Sequence, residues 1–381
     1  MKRTIITLAC SLFTLHASFF TLHAQELNNF NRGGRQQVVS PEFKGDSVTF
    51  RINAPQAQQV SLQGNWGGRG QRMTKTANGV WQTTIATPSP EIYTYNFVVD
   101  GVAVNDPQNY FVQRDGTRYL NMLMVKGERT QNYFEANKRG TVTYRWYDSK
   151  LLGINRRLAV YTPYGYEDNP TKKYPVLYLL HGAGGDEEAW LSMGRAAQIL
   201  DNLIEQGRAE PMIVVIPNGN PNQQAAQTLG LETARINTRS PEMANAYVKS
   251  LVTEIVPFIE KNFRADARKA RRAIAGLSMG GGHTITASQL YPDVFDYICP
   301  LSMGANPSEE SLNQLRALKK SGYKLYWLAC GDSDFLFENA KTLDKTLTDE
   351  GLKHTFYVSE GGHTWANWRL YLNTFAPLLF K

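Results

Sequence analysis

The sequence predicts two folded regions of different class: an antiparallel β-sandwich of Ig-like size, followed by a larger α/β region on a mainly parallel sheet. Three observations carry this. Between about Val38 and Lys126, short strand patterns are separated by turn signals. From Thr141 onward, strand patterns alternate with helical periodicity, which implies parallel strands covered on both faces. A chain of 381 residues is long enough for two domains.

The elements follow in chain order. Residues 1–24 read as a signal peptide: Lys2-Arg3 open it, an apolar run follows, and Leu22-His23-Ala24 precede Gln25-Glu26. A secreted or periplasmic location is expected. Residues 25–37 are polar, with Arg32-Gly33-Gly34-Arg35, and read as a flexible spacer. Residues 38–126 form the sandwich, with strand patterns at Ser47–Ile52, Gln59–Gly64, Val80–Ile85 and Tyr93–Val99; Asp100-Gly101 then signals a hairpin. Trp66, Trp81, Tyr93 and Tyr95 allow two readings, a sugar-stacking surface or, for Trp81 with Phe97, core filling. Residues 127–140 read as a linker.

Residues 141–381 make up the α/β region. Strand patterns occur near 142–147, 154–161, 175–180, 212–216, 272–277, 297–302, 323–330 and 354–358. Helical periodicity covers Ala196–Gln206, and Val248, Val252, Ile255, Ile259 and Phe263 share one face of another helix. In such a sheet, ligands bind beyond the carboxyl ends of the strands.

The chemistry concentrates at those ends. Ala273-Ile274-Ala275-Gly276-Leu277-Ser278-Met279-Gly280-Gly281-Gly282 reads as a strand, a tight turn carrying a serine, and a helix. Gly276 and Gly280 let the backbone bend sharply around Ser278. A serine hydroxyl needs an adjacent base. Of six histidines, His16 and His23 fall in the leader, His181 lies upstream, His283 sits inside the following helix, and His354 lies in a strand pattern read as facing solvent. His363, on the glycine-rich loop Glu360-Gly361-Gly362, remains as the base. The acid should follow the strand Tyr323–Cys330. Asp334 is preferred, and Asp332, read as making a turn bond, is the alternative. Backbone amides of Ala183, in His181-Gly182-Ala183-Gly184-Gly185, and of Met279 are placed to hold a developing oxyanion. No lysine and Ser/Thr pair follows the 181–185 turn, so it is not a P-loop.

Composition sets limits. The formal charge is +7, and about +5 without Lys2 and Arg3, too mild to indicate nucleic acid. The densest basic run, Arg264 with Arg268-Lys269 and Arg271-Arg272, carries no interleaved aromatics and reads as a solvated loop. No segment after the leader is long and apolar enough to span a bilayer. Only Cys299 and Cys330 remain after the leader, and no Cys or His spacing matches a zinc site. No metal and no cofactor is expected.

The second region resembles the esterase D group of α/β-hydrolases, and within it the feruloyl esterases of carbohydrate esterase family one. The likeness is carried by Pro175–Gly182 with Gly184-Gly185 and Trp190, Ile216-Pro217-Asn218, Ala273–Gly281, Ala329-Cys330-Gly331 with Asp334, and Gly361-Gly362-His363. It implies an α/β-hydrolase fold over 141–381 and supports Ser278, Asp334 and His363 as a catalytic triad. The first region resembles early-set Ig-like domains of the family-48 carbohydrate-binding type, through Gly64-Asn65-Trp66, Asn78–Trp81, Tyr93–Tyr95 and Val99–Gly101. The stretch Gly67-Gly68-Arg69-Gly70 departs from that pattern, and the domain is equally read as a platform completing one wall of the active site.

The resemblance implies a secreted serine esterase that releases ferulic (hydroxycinnamic) acid or acetyl groups from feruloylated or acetylated xylan. Trp190, Phe335, Phe337 and Trp365 are candidates to clasp a phenolic ring, with core packing as the other reading of Trp190 and Trp365. Two alternatives stand beside it: a siderophore esterase of the enterobactin type, and a catalytically silent carbohydrate-binding protein.

Overall fold

The computed structural model describes residues 38–233, 237, 243 and 245–381. The expected leader 1–24 and spacer 25–37 lie outside the described residues.

The first region contains strands β1 (Glu42–Lys44), β2 (Ser47–Asn53), β3 (Val60–Gly64), β4 (Gln71–Arg72), β5 (Thr74–Lys75), β6 (Val80–Ala86), β7 (Ile92–Val99), β8 (Val102–Val104), β9 (Val112–Asp115) and β10 (Arg118–Met124). One sheet runs β1-β2-β6-β5 and the other β4-β3-β7-β10-β9, with β8 beside β7. Period-two burial holds them together. Val48, Phe50 and Ile52 of β2 face inward between half-buried Thr49 and Arg51, and they meet Trp81, Tyr95, Phe97 and Leu123 in one core. Asp100 (φ 47°) and Gly101 (φ 88°) make the tight turn between β7 and β8. The Asp100 carboxylate also accepts from the amides of Gln58 and Gln59.

This packing corrects the sugar-surface reading. Trp81 is buried, and its indole donates to the Ala54 carbonyl. Tyr95 is buried and donates to Asp106. Trp66 stacks on the core ring of Phe50 at 5.6 Å. Only Tyr93, at the end of β7 nearest the second region, lines a surface groove. The four aromatics therefore form no common platform.

The segment 127–140 is not a loose tether. It carries a 3-10 helix, Glu128–Tyr133, whose Thr130, Asn132 and Tyr133 are buried. Asn132 donates to Asn373 of the last α-helix.

The second region is an eight-stranded sheet. Its strands are β11 (Thr141–Ser149), β12 (Ile154–Thr162), β13 (Val176–Leu180), β14 (Ile213–Pro217), β15 (Arg272–Leu277), β16 (Tyr297–Leu301), β17 (Leu325–Gly331) and β18 (Thr355–Ser359). The order is β11-β12-β14-β13-β15-β16-β17-β18. β11 and β12 pair antiparallel, and β12 meets β14 antiparallel. From β14 to β18 every pairing is parallel. All eight strands fall within a few residues of their sequence positions. The central strands are buried on both faces, which is why they read as unbroken apolar runs.

Helices cover the two faces. Ala196–Glu205 and Trp365–Phe375 pack with Trp190 and Trp327 on one side. On the other lies the run Ala246–Ser250, continuing through a π turn, Leu251–Ile255, into Val256–Asn262. Tyr247, Val248, Leu251, Ile255, Val256 and Ile259 are its buried apolar contacts, with Val252 and Phe263 half-buried beside them. Cys299 and Cys330 are buried free thiols, and burial pushes the Cys330 thiol up to about 12. His354 does not face solvent: its ring lies between Asp344 (2.8 Å) and the Leu352 carbonyl.

Candidate active site

β15 delivers Ser278 to the carboxyl edge of the sheet. The serine has φ 53° and ψ −119°, a conformation that side-chain-bearing residues rarely adopt. Two interactions hold it there. Its amide donates to the Leu301 carbonyl of neighbouring β16, and its carbonyl accepts from Gly282 as the helix Met279–Leu290 starts. The flanking glycines serve close approach rather than unusual torsion. A Cβ on Gly276 would lie 2.3 Å from the Gly280 carbonyl oxygen, and one on Gly280 would lie 2.6 Å from that of His181. The strain itself sits on Ser278.

His363 follows β18. Its Nδ1 faces both carboxylate oxygens of Asp334, at 3.0 and 2.9 Å. Asp334 is buried and also accepts from the Leu336 amide. A proton on Nδ1 donated to Asp334 leaves Nε2 with its lone pair, the form a general base requires. Asp332 takes a different job. Its carboxylate accepts from the Gly361 amide and the Ser333 hydroxyl, pinning the loop that carries His363.

Ser278 and His363 line one cavity with Gly182, Ala183 and Leu277. The turn bearing Ala183 is set by His181 beneath it. His181 is buried; Nε2 accepts from the Gly219 amide at 2.7 Å, so Nδ1 is the donor to the Gly182 carbonyl. Burial lowers its pKa and keeps the ring neutral. His283, behind it, is pushed down to about 4 by burial and by His181, and is no base at neutral pH. Backbone amides and an adjacent helix start beside a strained serine can stabilise charge on an attacked carbonyl oxygen.

The four aromatic candidates separate. Phe335 is 74% exposed and lies against the His363 ring at 4.5 Å. Trp365 lines the cavity. Trp190 is a core residue instead: it is fully buried and donates to the Leu180 carbonyl. Phe337 packs towards Phe356 and is not among the cavity-lining residues. Sequence reasoning missed Trp368, which stands edge-on to His363 at 5.0 Å and is locked by a bond to the Ser302 hydroxyl. The sign of it was its spacing, three residues after Trp365 on one helix face.

The reading of the sandwich as one wall of the site named no residue for it. Asp115, at the end of β9, lines the same cavity. A larger groove opens from there between the domains, bounded by Asn65, Tyr93, Thr94, Arg118, Thr364 and Trp365. The cavity at Ser278 measures about 140 Å³ and the groove about 480 Å³. Only the groove falls in the size range of a site for a drug-sized ligand. Among the described residues, no cluster of His, Cys, Asp or Glu could hold a metal ion, and no helix is long and apolar enough to cross a membrane.

Fold and site define the class, and the comparisons agree. A family model described as "Putative esterase" matches residues 149–378. The chain belongs to this esterase family, with the α/β-hydrolase fold.

Among curated proteins it is 34% identical over 346 residues to the endo-1,4-beta-xylanase/feruloyl esterase of Xylanibacter ruminicola, covering 87% of this chain and 44% of that protein. It is 28% identical over 260 residues to endo-1,4-beta-xylanase Y of Acetivibrio thermocellus, covering 60% and 22%. The chain thus spans less than half the length of these relatives. A solved ferulic acid esterase aligns at 29% identity and TM-score 0.53 over 63% of this chain and 98% of its own. The enterobactin esterase of Shigella flexneri, at 18% identity and TM-score 0.60, covers 90% of this chain and 94% of its own, a likeness of fold.

Proposed function

We propose that this chain is a serine carboxylic-ester hydrolase releasing ferulic (hydroxycinnamic) acid or acetyl groups from plant cell-wall xylan. The observation that carries the chemistry is the His363–Asp334 pair opening on the cavity that holds strained Ser278. The substrate class is supported by the similarity to the xylanase/feruloyl esterase of X. ruminicola.

His363 takes the Ser278 proton as Oγ attacks the ester carbonyl. Asp334 stabilises the imidazolium. The Ala183 and Met279 amides receive the oxyanion. The sugar alcohol leaves with the proton from His363, and water then releases the acid from the acyl-enzyme. Phe335 and Trp365 flank the acyl ring, and the interdomain groove gives the sugar side room beyond the small cavity. No metal or other cofactor takes part in this scheme. The leader at residues 1–24 directs the protein out of the cytoplasm; N-terminal sequencing of the exported protein tests this.

The decisive experiment measures acid release from methyl ferulate, feruloylated arabinoxylan, acetylated xylan and enterobactin. Turnover of the ferulate esters is expected. Preference for enterobactin would move the assignment to a siderophore esterase. Equal slowness of wild type and Ser278→Ala on every ester would leave a binding protein.

A further inference from the structure

The turn that presents Ala183 is braced from outside its own domain. Three consecutive acids follow it, and each is held by a distant group. Asp186 is 1% exposed, and its two oxygens take both terminal nitrogens of Arg114, at 2.8 and 2.5 Å. Glu187 takes Arg157 of β12 together with the Ala226 amide. Glu188 is shared, one oxygen accepting from Arg114 and the other from Arg157.

Arg114 belongs to the sandwich and is 5% exposed. Its backbone amide donates to the Ser192 hydroxyl, and its guanidinium also donates to the Gly116 carbonyl. Gly116, at the tip of the β9–β10 hairpin, neighbours the turn: a Cβ there would be in ordinary contact with the Gly184 carbonyl oxygen, at 3.9 Å. Bidentate charge-assisted bonds fix geometry as well as charge. A buried carboxylate stripped of its cation must reach water or be protonated. Without Arg114, Asp186 keeps the Glu188 amide as a partner, but the two-pronged anchor that fixes the chain one residue beyond Gly185 is gone.

We infer that Arg114 is a positioning residue for the ester chemistry, with the sandwich hairpin holding the Ala183 amide in place through Asp186. The inference rests on the reading above that this amide binds the oxyanion. The Met279 amide starts a helix and stays put, so only one of two donors is disturbed.

The test uses the full chain and p-nitrophenyl acetate, a substrate with no sugar to bind the sandwich. Arg114→Ala is expected to lower kcat about ten- to a hundredfold, somewhat less than outright loss of an oxyanion donor, with KM held within about twofold. The inhibition constant of phenylboronic acid, which forms a tetrahedral adduct on the serine, should weaken by the same factor. Arg114→Lys should restore part of both. If Arg114→Ala does not fold, Arg114→Lys and Asp186→Asn are read by the same two measures. Unchanged kcat and boronate affinity, or a loss carried by KM alone, would overturn the inference. Undiminished hydrolysis by Ser278→Ala would instead overturn the reading on which it rests.

Discussion

In the sandwich, Trp81, Tyr95 and Phe97 point into the core; in the esterase domain, Phe335, Trp365 and Trp368 stand around His363. The residue types are the same, and what separates the two sets is where the backbone puts them. Trp81, Tyr95 and Phe97 lie inside strands, where the pleat sends alternate side chains inward whatever their chemistry. Phe335 follows β17, and Trp365 and Trp368 sit on a helix that starts beyond β18, outside any pleat. The pleat thus decides the place of Trp81, Tyr95 and Phe97, whereas loop and helix positions set that of Phe335, Trp365 and Trp368.

Removing the proposed nucleophile breaks this comparison most sharply. Ser278→Ala should reduce kcat on the order of a millionfold, measured with methyl ferulate and checked against contaminating wild type. No single change in the sandwich core should match it in protein that remains folded. Next come the two aspartates of one loop. Asp334→Asn should cost about ten-thousandfold in kcat, by analogy with triad acids elsewhere. Asp332→Asn removes only a brace of the loop and should cost less than about tenfold, since the net worth of a single such bond is roughly 1 kcal/mol. A reversed order would exchange their roles.

The core aromatics are tested by stability rather than turnover. Trp81→Ala should destabilise the chain by about 3–5 kcal/mol in chemical denaturation, with kcat on methyl ferulate little changed in the folded fraction. Tyr93→Ala, at the groove, should cost less than half of that and act on feruloylated oligosaccharide through KM. A sandwich site for sugar at Trp81 would show the opposite pattern.

The parts of the molecule readable from sequence were those with local rules. The eight strands of the α/β region were legible because buried parallel strands are short apolar runs. Ser278 and Ala183 were legible because their turns need small residues in close order. His363 followed by elimination and chain order. The ion pair between Arg114 and Asp186 was not legible, because 72 residues separate them and nothing in either local pattern marks a partner. Register was the other blind spot: the sequence shows that Tyr93–Val99 alternates, but only pairing with β3 and β10 fixes which set faces the core.

Buried polar groups also differ between the two domains. In the sandwich, buried Asp106 accepts from Ser40, Tyr95 and the Gln108 amide. In the esterase domain, His283 lies 4.6 Å from the Tyr247 ring, and its Nδ1 has no hydrogen-bond partner among the described residues. With a folded pKa of about 4 against an unfolded value of 6.5, the unfolded chain binds more protons in that interval. Stability contributed by neutral His283 is therefore intact above pH 6.5 and lost as pH falls towards 4, by up to roughly 3 kcal/mol. His181 contributes with the same sign and stays in the comparison. His283→Leu should match wild type at pH 7 within about 1 kcal/mol and lose less between pH 6.5 and 4, measured by urea denaturation. Parallel pH curves for the two proteins would mean that His283 titrates in the folded chain as it does in the unfolded one, as it would if water reaches it.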